Sequence, residues 1–184
     1  MSIRSSTEQI REKKKLFFIR EERIISAALD LFFSDGIDNV TVSKIATRAG
    51  IGKGTVYKHF VSKNEILVRI MLDYEKQLSL NLSEGIKRAE AGESGAAPKA
   101  YFQSRLARPE LDRLVQQLEI RLADAVDISA QLEQLHSLRR SNEASLSEML
   151  SRQIDRGVLE NVPPHYHYLA CWALAQGAVE LCFN

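Results

Sequence analysis

Cysteine is scarce: Cys171 and Cys182 are the only two in 184 residues. On one helix they stand about 16 Å apart at a rise of ~1.5 Å per residue, too far to bridge. That excludes a disulfide scaffold and reads both thiols as small core residues in a reducing compartment, the cytoplasm. Proline (four) and glycine (nine) are also few, while Leu, Ala, Glu, Arg and Gln recur, which favours helices throughout. No apolar run approaches the roughly 18 residues that span a bilayer. The opening MSIRSSTEQIREKKK carries charge but no apolar stretch with a cleavage site, so neither a signal peptide nor a membrane partner is expected. Internal repeats and strand-like alternation are missing. So are the catalytic constellations G-x-S-x-G, H-E-x-x-H and a cysteine with a nearby histidine base. No catalytic residue, cofactor or metal is expected. His165 and His167 sit two apart, on different faces of a helix, with no cysteine or acidic cluster nearby to complete a site.

What is present begins with an uneven charge. Residues 1–70 hold 13 Lys and Arg against 8 Asp and Glu; the rest hold 12 against 16. A basic first third on an acidic body points to a polyanion as the partner of the first part. Residues 1–19 form a flexible or partly helical basic arm with Lys13, Lys14 and Lys15 in a row. From Arg20 to Asp35, Ile24, Ala28 and Phe32 with Ile25, Leu29 and Phe33 mark one face of a helix, closed by Gly36. A second, short helix follows with Thr41 as N-cap and Val42, Ile45, Ala46 and Ala49 on one side. A third segment, GTVYKHF, offers Val56 and Phe60 to the same small core. Ser62 and Glu65 make a capping box for a fourth helix, with Val61 and Ile66 placed for a hydrophobic staple. That helix runs to about Lys87. Residues 89–99 read as a loop, and further helices are predicted near 99–107, 109–124 and 130–156. The last segment, 165–183, is apolar on most faces, so burial on all sides is expected, by its own domain or by a partner.

The stretch GIGKGT (residues 50–55) admits two readings. A phosphate-binding loop needs G-x-x-x-x-G-K-[ST] between a buried strand and a helix. With Gly52-Lys53 as the G-K pair, Thr47 stands where the first glycine belongs and Gly54 where the hydroxyl does. The preceding TVSKIATRA has helical periodicity and two charges, which argues against a buried strand. The other reading is the corner of a helix-turn-helix. Small Ala46 and Ala49 let two helices approach, Gly50 supplies a left-handed backbone, and Val56 and Phe60 pin the second helix. Lys53, Gly54, Thr55, Tyr57, Lys58 and His59 then face outward, with phosphate- and base-binding chemistry and no carboxylate.

RIISAALDLFFSDGIDNVTVSKIATRAGIGKGTVYKHFVSKNEIL, residues 23–67, resembles the TetR family of bacterial transcriptional regulators in motif order and spacing. The pattern is helix one ending in Phe and Gly, then Thr, I-A-x-x-A-G, G-T-x-Y-x-H-F and S-K-x-x-L. The resemblance implies an all-α fold. An N-terminal three-helix helix-turn-helix domain (20–65) would precede a larger helical domain for effector binding and dimerisation (66–184). It implies that Lys53, Gly54 and Tyr57 lie nearest base edges, joined by Ser43. Thr41, Thr55, Lys58, His59 and Lys63 would bind phosphates. Gly54, lacking a side chain, would read the groove by close backbone approach.

The resemblance further implies a homodimer on a palindromic operator in double-stranded DNA, commonly a repressor, released by a small molecule bound in the larger domain. Candidate pocket residues are Tyr74, Phe102, Leu118, Leu122, Cys171, Trp172 and Gln176. Nothing among them marks a strong charge selector, so an apolar or amphipathic effector is expected. The family usually has nine helices and this sequence reaches the equivalent of eight. Either the segments near 130–156 and 165–183 suffice for dimerisation, or a further helix is missing from this chain. The competing readings are a helical protein-interaction module without sequence-specific DNA binding and, behind it, a nucleotide-dependent enzyme.

Overall fold

The structure is a computed structural model that describes residues 6–184, with side chains from Glu8 onward. The described residues form eight α-helices and one 3-10 turn, and they divide into two compact units, Met1–Leu67 and Val68–Asn184. The first unit holds α1 (Ser6–Asp35), α2 (Val42–Arg48), α3 (Lys53–Val56) and the first turn of α4 (Lys63–Glu90). Helix α1 starts fourteen residues before the first apolar stripe predicts. Its Glu, Lys and Arg run is built of good helix formers with no glycine or proline to stop it before Gly36. Of the predicted arm, residues 1–5 lie outside the described residues and Ser6–Ile19 is helix.

Helix α2 packs on α1 and α3, and Ile24, Ala28 and Phe32 of α1, Ile45 and Ala46 of α2, and Val56, Phe60, Ile66 and Leu67 are all buried. The capping box forms in a shifted register. The Glu65 amide donates to Ser62 Oγ at 3.2 Å, while Glu65 Oε2 accepts from the Val61 amide. The predicted staple does not form, because Val61 is 76% exposed while Ile66 is fully buried.

The second unit contains the rest of α4, α5 (Ala96–Leu106), α6 (Pro109–Leu122), a 3-10 turn (Val126–Ile128), α7 (Ser129–Asp155) and α8 (Pro164–Leu181). Val68, Met71, Leu118, Leu122, Ile128 and Leu135 are its fully buried large side chains. Helices α4 and α5 cross closely at Gly85: a Cβ there would lie 2.6 Å from Ala100 Cβ and 3.0 Å from the Ala96 carbonyl oxygen. Helix α8 packs on α5, α6 and α7, but only Ala175 and Val179 of it are buried. Within one chain it is therefore not enclosed on all sides: Tyr166, Leu169, Leu174 and Leu181 stay exposed. Cys182 is likewise exposed and Cys171 half-buried, so neither is the core residue that the sequence suggests.

Candidate nucleic-acid interface

Helix α2 opens on Thr41, whose Oγ1 accepts the Lys44 amide at 3.2 Å. Two ion pairs tie α2 to α1, Lys44–Asp35 at 3.2 Å and Arg48–Asp30 at 3.1 Å. The Ser34 hydroxyl and the Lys44 ammonium hold the Asp35 carboxyl below its ordinary range. Helix α2 ends in a Schellman motif around Gly50, whose φ is 65°. The Gly50 amide donates to Thr47 O at 3.1 Å and the Ile51 amide to Ala46 O at 3.0 Å. Arg23 Nη2 adds a bond to the Ala49 carbonyl at 2.7 Å, a brace from α1 that sequence reading missed. Only the partner twenty-six residues away reveals it.

Helix α3 follows after Gly52 and tightens into i→i+3 bonds: Lys58 N to Thr55 O at 3.1 Å, His59 N to Val56 O at 2.9 Å. Val56 and Phe60 face the core. Ser43, Lys53, Gly54, Tyr57 and Lys58 are exposed with Thr41, and Thr55 is half-buried. Lys53 Nζ lies 5.8 Å over the Tyr57 ring. A Cβ built at Gly54 meets nothing within 4 Å and its φ is ordinary, so the fold places no demand for glycine there. Between Asp38 and Glu65 the sequence has five basic residues and no carboxylate, so this corner presents cations, hydroxyls and a phenol to solvent. Such a surface suits a polyanion with readable edges.

Two residues predicted to bind phosphates have neighbours within the fold, His59 with a buried side chain and Lys63 part-buried. The His59 side chain is only 3% exposed. It stacks on Phe17 at 4.1 Å between ring centroids, with Nδ1 3.8 Å from Glu21 Oε1. The early start of α1 brings in Phe17, while Glu21 lies in the predicted part of the helix. Lys63 Nζ donates to the Ile37 carbonyl and lies 5.9 Å over the Phe32 ring. Lys63 thus has a carbonyl of its own fold as partner, whereas the buried His59 Nδ1 has no hydrogen-bond partner among the described residues.

The second unit holds two cavities of about 430 and 420 Å³. Tyr74, Trp172 and Gln176 line the second and Cys171 the first. Leu118 and Leu122 are core, 0% and 1% exposed, and Phe102 lines neither cavity. The second cavity contains the charge that sequence reading did not find. Arg105 grips Asp112 through Nε and Nη2, each at 2.8 Å, and reaches Gln176 Oε1 at 3.0 Å. Asp112 also accepts from the Tyr74 hydroxyl, and burial plus that carboxylate push the phenol strongly up. Arg139 Nε meets Glu75 Oε2 at 2.9 Å, and its Nη2 meets Glu119.

Residues 24–70 match the family model described as bacterial regulatory proteins, tetR family. Over 70 residues the chain is 37% identical to the HTH-type transcriptional regulator SrpR of Pseudomonas putida, covering 37% of this chain and 33% of that protein. The chain spans between 33% and 52% of the length of three such curated relatives. In fold it is similar to the TetR family transcriptional regulator PfmR from Thermus thermophilus, with a TM-score of 0.70 at 23% identity, covering 86% of this chain and 85% of that one. FadR from Bacillus subtilis, solved in complex with stearoyl-CoA, has a TM-score of 0.63 at 22% identity, covering 86% of this chain and 84% of that one. Residues 24–70 are thus similar to the tetR family of bacterial regulatory proteins, and the all-helical fold is similar to that of solved regulators of that family.

Proposed function

We propose that this protein is a cytoplasmic repressor that binds a palindromic operator as a homodimer and is released by a small-molecule effector. The observation that carries the reading is the α2–turn–α3 corner. Its inward residues are fixed by caps and core contacts, while Ser43, Lys53, Gly54 and Tyr57 stay uncommitted to the core. On this reading Lys53 and Tyr57 meet base edges and the Gly54 backbone approaches them, with Ser43 entering from α2. Thr41, Thr55 and Lys58 hold phosphates, which set affinity and register but carry no sequence information. The dimer reading rests on α8, whose exposed Leu169, Leu174 and Leu181 need a cover.

Release follows if an effector binds one arrangement of the chain better than the other. The cavities of the second unit are the candidate effector sites, each within the roughly 300–1,000 Å³ common for ligand pockets. The stearoyl-CoA of the FadR structure is a ligand with one long apolar chain, and the apolar cavity around Met149 and Leu150 suits such a chain.

A gel-shift titration against the DNA flanking the protein's own gene is the test. A specific shift by the wild type, with altered sequence preference in Tyr57→Ala, is expected. No specific shift over non-cognate DNA, or an undiminished one in Tyr57→Ala combined with Lys53→Ala, refutes operator reading and favours a helical interaction module.

A further inference from the structure

The two cavities share four wall residues, Leu82, Tyr101, Leu146 and Tyr168, contributed by α4, α5, α7 and α8. On one side of that wall the lining is chiefly apolar, with Ala97, Met149, Leu150 and Leu159. On the other stand four carboxylates, Glu75, Asp112, Glu119 and Glu143, against two guanidinium groups, Arg105 and Arg139. Both guanidiniums are already engaged, Arg105 by Asp112 and Arg139 by Glu75 and Glu119. Glu143 has no salt bridge among the described residues, and its charge helps raise the Tyr168 phenol. Aromatic faces stand beside these acids: Tyr74, Tyr101, Tyr168 and Trp172 all line the cavity. A site with surplus carboxylate and aromatic rings attracts a cation twice, by charge and by ring quadrupole. An anionic head would meet the same carboxylates with no unpaired guanidinium to receive it.

We propose that the two cavities hold one cationic amphiphile, its ammonium head near Glu143 and Trp172 and its apolar chain past Leu82 and Leu146 towards Met149. The assignment rests on the effector-binding reading above and narrows it to a chemical class. The head group thereby differs from the phosphorylated carrier of an acyl thioester.

Trp172 is the only tryptophan in the chain, so its fluorescence reports occupancy of the charged cavity. The full chain is titrated with octyltrimethylammonium, octanoate, 1-octanol and tetramethylammonium, with equilibrium dialysis as a second readout. Octyltrimethylammonium should bind at least tenfold more tightly than octanoate and than tetramethylammonium. Glu143→Gln should weaken the octyl cation several-fold and leave 1-octanol unchanged. Equal or tighter binding of octanoate overturns the proposal, as does affinity independent of the alkyl chain, or binding by none of the four. Gel shifts without ligand keep the two readings apart. Specific DNA binding with no probe bound refutes the cation assignment alone, whereas cation binding without loss of the shift leaves it standing and removes the release step.

Discussion

Gly54→Ala separates a demand made by the fold from one made by DNA. The new Cβ meets no atom within 4 Å and the backbone is not left-handed, so no strain enters the head. Helix propensity favours alanine over glycine by about 1 kcal/mol in a helix interior. Helix α3 has only four fully helical residues, so less than that should be realised. For a chain of this size, 1 kcal/mol corresponds to about 2–4 °C, which bounds the expected rise in Tm. On the proposed function the same methyl intrudes where the backbone approaches the groove. Operator affinity should then fall at least tenfold, about 1.4 kcal/mol, with the melting temperature unchanged or slightly raised. Thermal melts and gel shifts on the same preparation make the comparison. Affinity equal to wild type in a stably folded Gly54→Ala chain refutes the close-approach argument, whatever else α3 contacts.

Lys58→Ala should flatten the dependence of log affinity on log salt by about 0.9. His59→Phe, which keeps the ring stack on Phe17, should leave that slope unchanged; a drop of similar size would restore His59 as a phosphate contact. Gly85→Ala should destabilise by about 1–3 kcal/mol through overpacking against Ala100 and the Ala96 carbonyl, read by urea unfolding. Arg105→Met alone should cost about 3–5 kcal/mol because it strands Asp112, and Asp112→Leu added to it should recover much of the loss. Asp35 has its folded pKa lowered by Ser34 and Lys44. It therefore adds stability above its unfolded value of 3.8 and loses it as pH falls through the folded one. Asp35→Asn should melt below wild type near neutral pH, with the gap closing as pH falls below 3.8 and through the lowered folded value, and a gap that persists in strong acid refutes the carboxylate's role.

The helix-turn-helix was legible because its determinants are consecutive. Thr41 caps α2 three residues from the amide it accepts, and Gly50 terminates the same helix through bonds that reach back at most five residues. Val56 and Phe60 stand one turn apart on one face. His59 and Lys63 looked equally clear, yet their partners lie 38 and 26 residues earlier, in Glu21 and Ile37. Local spacing says which way a side chain leaves its helix, not what waits there. Whether an outward-looking lysine meets water, DNA or a carbonyl of its own fold is a tertiary fact.

The second unit was harder for a related reason. Apolar periodicity finds a core by treating charged residues as surface, so a carboxylate and a guanidinium buried together vanish from it. Arg105 and Asp112 are 5% and 2% exposed, and seven residues across a helix boundary hide their pairing. That is why the charged lining of the second cavity was not legible in the sequence. Helix α8 shows the opposite ambiguity. Its all-round hydrophobicity is consistent with complete burial, but the chain buries only Ala175 and Val179. Sequence periodicity sums every face that must leave water, including any that leaves it only on assembly. A helix whose apolar residues exceed what its own unit covers is therefore the feature by which an uncovered apolar face becomes visible, and only after the inner face has been subtracted.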